Sequence, residues 1–296
     1  MLKSVLDKLQ ENSEIIFVDD GSTDGSYKIL KEIAVNDEHV RLIRFRRNFG
    51  QTAAMAAGID NATGEVLIFM DSDQQNDPAD IPLLLEKINE GYDVVSGWRK
   101  KRKDNLSKKI PSYIANRMIA RLSGVKLHDL GCSLKAYRKD LIKNIKLYGE
   151  MHRFIPVIAA GIGAEICEIE VRHHPRKFGK SKYGIGRTLK VLLDLITVQF
   201  MGTYGTKPIY VYGGFAFLCF LLSSISGFLV IFMKILWHTD MTGNPFLLLT
   251  VLFILITIIL TLMGIQAEVI SRIYHQSDGV KSYHIKESVN IENTRD

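Results

Sequence analysis

Short apolar runs recur along the first two thirds of the chain, and two of them end abruptly in acidic residues. Runs near residues 14–18, 40–45, 65–70 and 93–97 read as strands. Between them, residues 26–35, 50–60 and 79–90 carry apolar positions at helical spacing, and residues 4–10 read as the end of a helix. This alternation predicts a parallel, helix-covered sheet. Further on, the pattern predicts helices over 107–123, 133–145 and 151–160. Ile166, Glu168 and Glu170 lie on a strand over 164–172.

The polarity then changes. Ile209 to Met233 and Phe246 to Ile265 hold no charged residue. Each exceeds the roughly 18 to 20 residues that cross a bilayer. The loop between them is short. Before the pair lie Arg172, Arg176, Lys177, Lys180, Lys182, Arg187 and Lys190. After it come Arg272, Lys281 and Lys286. The positive-inside rule puts both flanks in the cytosol. In Gly186 to Met201, Leu189, Leu192, Leu193, Ile196 and Phe200 recur at helical spacing beside charged residues, the pattern of an interfacial membrane helix. The expected organisation is a catalytic domain over 1–186, an amphipathic juxtamembrane helix over 187–207, two spans over 208–268 and a cytosolic tail over 269–296.

Candidate chemistry sits at two strand ends. The run Val66-Leu67-Ile68-Phe69-Met70 ends in Asp71-Ser72-Asp73-Gln74-Gln75-Asn76-Asp77-Pro78. Ligands of open α/β sheets bind at such C-terminal mouths. Two hard oxygen ligands one residue apart suit Mg²⁺ or Mn²⁺ holding a diphosphate. A calcium loop of the EF-hand kind fits badly, since Asn76 stands where that loop needs Gly and Pro82 where it needs Glu. The run Glu14-Ile15-Ile16-Phe17-Val18 ends in Asp19-Asp20-Gly21-Ser22-Thr23-Asp24-Gly25-Ser26, whose carboxylates suit a ribose or base edge. A polar turn would explain either segment alone; two acidic mouths in one βα array point to a ligand site.

Charge and cysteines narrow the classes. The net charge of +6 is concentrated between residues 99 and 190. Next to membrane spans, such a patch favours anionic headgroups and phosphorylated substrates over nucleic acid. Cys132, Cys167 and Cys219 have no metal or disulfide spacing and read as packing residues.

These motifs resemble family 2 glycosyltransferases of the GT-A fold, in the polyprenyl-phosphate branch with dolichol-phosphate mannose synthases, bactoprenol glucosyltransferases and undecaprenyl-phosphate aminoarabinose transferases. The resemblance spans residues 14–275. It rests on Val18 to Ser26, Arg47-Asn48-Phe49-Gly50-Gln51, Asp71 to Pro78, Gly97-Trp98-Arg99, Asp129-Leu130-Gly131-Cys132 with Lys135-Ala136-Tyr137-Arg138, and His174 to Tyr183. It implies a Rossmann-like mixed sheet followed by a two-helix transmembrane hairpin. By resemblance, Asp19 and Asp20 line the donor nucleotide pocket with Asp71 and Ser72 beside it, and Arg99, with Ser181 near it, meets donor or acceptor phosphates. Asp71, Asp73 and Gln75 surround the metal. Arg176 and Lys182 meet phosphate oxygens, and Asp129 takes the acceptor-side position. Members usually begin with a strand ending Pro-x-Tyr-Asn-Glu; Met1 falls after that point, so a truncated first strand and an unpaired sheet edge are expected.

The implied activity is inverting transfer from a nucleotide diphospho-sugar to a polyprenyl phosphate, at the cytosolic face of the cell inner membrane. Helix packing within the bilayer allows a homo-oligomer. The alternatives are a catalytically impaired homologue acting as a membrane scaffold, and a glycosyltransferase with another lipid acceptor. A processive polysaccharide synthase is disfavoured, because neither additional spans nor a Gln-x-x-Arg-Trp motif is present.

Overall fold

A computed structural model describes residues 1–9, 11–100, 125, 127–147, 149, 151–175, 197, 200, 207–238, 240, 242–276 and 282–291. Two compact units result, one from 1–199 with 281–296 and one from 200–280. The predicted helices over 107–123 and 186–201 fall largely or wholly outside the described residues.

In the first unit, β1 (Ile15–Asp19), β2 (Val40–Phe45), β3 (Val66–Phe69) and β4 (Val94–Trp98) form where the apolar runs predict them. They alternate with α2 (Ser26–Asn36), α3 (Gln51–Asn61) and α4 (Ile81–Asn89), after a short α1 (Leu2–Leu6). Helix α4 buries Ile81, Leu84 and Ile88, one stripe at helical spacing. The expectation of a helix over 133–145 is corrected. Lys135–Arg138 is strand β5, and the helix α5 is confined to Lys139–Lys143. A further helix, α6 (Ile155–Gly161), and β6 (Ile166–Glu170) follow.

The sheet is mixed rather than parallel. One sheet has the order β3-β5-β4-β6, in which β5 runs antiparallel to both β3 and β4 while β6 is parallel to β4. Both its faces are covered. Val95 and Ala136 pack with Leu84 and Ile88 of α4. Val94 and Tyr137 pack with Ile59, Ile142 and Ile155. Strands buried on both faces read as continuous apolar runs, which is why β3 and β4 are legible in the sequence.

The other sheet has the order β1-β2-β7, where β7 (Ile285–Val289) comes from the segment after the spans. Strand β1 is outermost in one sheet and β3 in the other. The last segment is thus more than a tail. β7 pairs antiparallel with β2. Tyr283 stacks on Phe45 at 5.1 Å and donates to Asp60 at 2.6 Å. The Asn290 amide donates to the carbonyls of Ala34, Asp37 and Val40.

The second unit is a helix pair, α7 (Ile209–Trp237) and α8 (Pro245–Gln276). Its spans have mean hydropathies of 2.4 and 3.0 and are long and apolar enough to cross a membrane. Small residues lie between the helices. Ser226 Oγ donates to the Phe246 carbonyl at 2.8 Å, and Ser223 Oγ to that of Thr250 at 3.2 Å. Bilayer helices pack through such contacts because lipid is as apolar as leucine.

Candidate active site at the strand mouths

At the end of β1, Asp19 is buried, 3% exposed. Its Oδ1 accepts from the Ser22 amide at 3.0 Å, and its Oδ2 lies 3.6 Å from Arg44 Nε. The Arg44 guanidinium in turn lies 3.9 Å above the Tyr27 ring. Gly21 adopts φ +75°, and a Cβ there would sit 2.8 Å from the Arg47 carbonyl carbon. Only glycine lets the two loops approach so closely. Both Asp20 oxygens accept main-chain donors, Phe49 N at 2.6 Å and Gly50 N at 2.9 Å. Asp20 therefore sets the 47–50 loop and the start of α3. From that start, Gln51 Nε2 reaches Asp71 Oδ1 at 2.8 Å, linking the two acidic mouths.

The turn after β3 is closely organised. Gln74 adopts φ +60°, left-handed and uncommon for a residue with a side chain. Asp73 Oδ1 accepts from the Gln75 amide at 3.1 Å. Ser133 Oγ accepts from Asn76 Nδ2 at 2.7 Å and, more weakly, from the Asp71 amide at 3.4 Å. Asp77 accepts from the Ala79 amide at 3.0 Å and faces His174 and Arg172. Burial pushes the Asp77 carboxyl up, but the amide, His174 and Arg172 outweigh it and hold its pKa below the usual range.

Arg172 also binds Asp80 through its Nε at 2.8 Å and its amide at 2.7 Å, and the His174 amide donates to the Gln75 carbonyl at 2.8 Å. The exit of β6 is thereby stitched to the Asp71–Asp80 turn, so the chain reaches residue 175 beside Gln75. Arg176, Ser181 and Lys182 lie beyond it, outside the described residues.

Asp71 and Asp73 fit a divalent cation by donor chemistry. Both are half-buried carboxylates on one turn, one accepting from the Gln51 side-chain amide and the other from the Gln75 main-chain amide. Among the described residues no group of three His, Cys, Asp or Glu side chains forms a complete cage. A pair of carboxylates completed by phosphate and water is the arrangement magnesium favours. Ser72 is exposed on the same turn, and Gln75 is half-buried at its far side.

A third element lies along the same edge. Asp129 holds Arg99 in a bidentate pair, Nε to Oδ2 at 2.6 Å and Nη2 to Oδ1 at 2.9 Å. The Arg99 and Asp129 side chains are 13% and 8% exposed. Gly97 cannot carry a side chain, since a Cβ would meet the Leu134 carbonyl at 2.9 Å and Cys132 Sγ and Val171 Cγ2 at 3.0 Å. The Cys132 thiol is pushed up to about 11 by burial. It packs as a neutral thiol, as its spacing suggests.

The structure thus brings Asp20, Asp71 and Asp73 into one connected array, with 129–133 joining it to the Arg99–Asp129 pair. The sequence alone assigns no role in the site to Gln51, Ser133 or Arg172. Their link to it exists only through tertiary contacts, although Gln51 and Arg172 lie in or close to motifs quoted above.

Residues 1–146 match the family described as glycosyl transferase family 2. Over 279 residues, the chain is 43% identical to dodecaprenyl-phosphate galacturonate synthase of Rhizobium johnstonii, covering 93% of this chain and 82% of that one. Over 286 residues it is 36% identical to undecaprenyl-phosphate 4-deoxy-4-formamido-L-arabinose transferase of Proteus mirabilis, covering 96% and 86%. A crystal structure of a mycobacterial protein shares the fold, with a TM-score of 0.50 at 17% identity over 68% of each chain. The mixed sheet is of the GT-A type. With its two acidic strand mouths and this extent of identity, the chain belongs to glycosyl transferase family 2.

Proposed function

We propose that this enzyme transfers a sugar from a nucleotide diphospho-sugar to a membrane polyprenyl phosphate, with inversion at C1. The observation that carries the reading is the 43% identity over 93% of the chain to a synthase of that class. The linked acidic mouths and the two apolar helices agree with it.

Departure of the nucleoside diphosphate concentrates negative charge on the diphosphate. Asp71 and Asp73, with Gln75 beside them, would hold a Mg²⁺ or Mn²⁺ that neutralises this charge. Asp19, Asp20 and Ser72 border the nucleotide side. Arg176, Ser181 and Lys182 supply hydrogen bonds and fixed positive charge to the phosphates.

The acceptor needs little activation, because a phosphate monoester has a second pKa near ~6 and is already largely anionic at neutral pH. The Arg99–Asp129 pair then serves to orient this phosphate rather than to deprotonate it. A long polyprenyl chain stays in the bilayer, so the helix pair tethers the enzyme where its acceptor is. The residues before α7 and those after α8 fold into one unit. This shared unit and the basic flanks support a hairpin with both ends on the cytosolic side.

The test is transfer by purified protein onto undecaprenyl phosphate from nucleotide-activated galacturonate and from nucleotide-activated 4-deoxy-4-formamido-L-arabinose, with and without EDTA. Metal-dependent formation of a lipid-linked sugar from either donor supports the reading. Donor hydrolysis without a lipid product from any nucleotide sugar overturns it.

A further inference from the structure

We propose that Glu168 is a positioning residue for transfer, acting through the main chain of the Asp129 loop. The proposal rests on Asp129 and Arg99 lying at the acceptor phosphate. Glu168 stands on β6, and its side chain is only 8% exposed. Its Oε1 accepts from the amides of His128 at 3.0 Å and Asp129 at 2.9 Å. Its Oε2 lies 3.0 Å from the His128 amide and 2.8 Å from His128 Nδ1. One carboxylate thus holds two consecutive peptide groups and a ring.

Two further contacts fix the same loop. The His128 ring stacks on Trp98 with centroids 4.3 Å apart and planes 18° from parallel. From β5, Lys135 Nζ donates to the Leu130 carbonyl at 2.9 Å. Residues 128, 129 and 130 are all held by side chains from neighbouring strands. Asp129 itself grips Arg99, with Gly131 N donating to its Oδ1 at 3.1 Å. Catalytic geometry tolerates little play, since small misplacements of an orienting group cost large factors in rate. The alternation of Ile166, Glu168 and Glu170 reads as an ordinary strand edge, and nothing in it distinguishes Glu168 from Glu170. The structure does: Glu170 pairs with Lys100 in the open, whereas Glu168 turns onto the loop.

The experiment uses the full chain with Trp237→Phe, which leaves Trp98 as the sole tryptophan. Glu168→Gln keeps an acceptor oxygen for both amides but removes the charge. Glu168→Asp keeps the charge but withdraws it by one methylene. Transfer to undecaprenyl phosphate and Trp98 emission are measured for both.

Positioning through hydrogen bonds requires the glutamine variant to stay within about fivefold of the parent in kcat, with the parent's Trp98 emission. The aspartate variant should lose about thirtyfold in kcat, with donor KM unchanged and Trp98 emission altered. In an Asp129→Asn background, the aspartate change should add less than about threefold, because both act through one group. The reverse order of the two variants, or a second full loss on top of Asp129→Asn, overturns the proposal. If Asp129→Asn alone is fully active, the acceptor-side reading of Asp129 falls. In that case a thirtyfold loss in Glu168→Asp would show Glu168 acting elsewhere and sink the proposal too, while an unimpaired Glu168→Asp would equally sink it.

Discussion

Asp73 and Lys135 differ in what surrounds their charges. Asp73 is a half-buried carboxylate on a turn, where the Gln75 amide orients one of its oxygens. Asp73→Ala is expected to abolish transfer, and excess EDTA to do the same to the parent. Turnover that survives EDTA would remove the metal from the mechanism. Asp77→Ala removes the acceptor for the Ala79 amide together with the contacts to Arg172 and His174. Its effect should appear in stability as well as rate. In the basic segment 176–182, Arg176→Ala and Lys182→Ala should each lower kcat/KM at least about a hundredfold, roughly 2.7 kcal/mol. Lys177→Ala and Lys180→Ala should cost far less; equal losses at all four would mark a general basic patch.

Lys135 is fully buried, and desolvation lowers its ammonium from 10.5 to about 8. The unfolded chain then binds the extra proton between pH 8 and 10.5, so this group's penalty on folding is full below pH 8 and fades as pH rises through that window. The penalty is on the order of 3 kcal/mol. The thermal midpoint of Lys135→Met relative to the parent should therefore be more favourable at about pH 7.5 than at about pH 9.5. A difference independent of pH would mean that Lys135 is not titrating there.

At the scale of elements, β5 shows tertiary context overriding local pattern. Lys135-Ala136-Tyr137-Arg138 carries charge at both ends and runs straight into a helix, so its sequence suggests continuous helix. Its four residues instead complete a sheet between β3 and β4, where Tyr137 and Ala136 fill opposite cores. The neighbouring β4 tolerates no larger residue at Gly97. Gly97→Ala is expected to destabilise the unit by about 1–3 kcal/mol through overpacking, read as a lowered thermal midpoint. β7 is equally hidden, since Ile285-Lys286-Glu287-Ser288-Val289 is short and polar. What secures it is its register against β2, the Lys31–Glu287 pair and the Tyr283 stack. Removing residues 282–296 should expose the edge of β2 and Phe45, giving aggregation on purification even though no candidate site residue is lost. A monodisperse, active truncation would show that β7 is dispensable.

For the whole molecule, β7 returns to pair with β2, so the proposed membrane topology requires an even number of crossings between them, which the two apolar helices would supply. With native cysteines removed, Thr239→Cys should react with an impermeant thiol reagent applied outside intact cells. Labelling only after lysis would contradict the hairpin.

The sequence by itself determined the features that depend on local pattern. Short apolar-rich runs placed β1 to β4 within a residue or two, and β3 and β4 stand out because their sheet is covered on both faces. The acidic mouths were visible because chemistry at a strand end interrupts that run abruptly. The spans were visible because a bilayer demands unbroken apolar length. Only the tertiary structure decided the direction and place of β5, the capture of the last segment as β7, and the contacts that tie Asp20 to Asp71 through Gln51 and Glu168 to Asp129. These join residues from 20 to 256 positions apart. A hydrogen bond across such a separation leaves no periodic trace in the chain, since it depends on where the folded backbone brings two polar groups together.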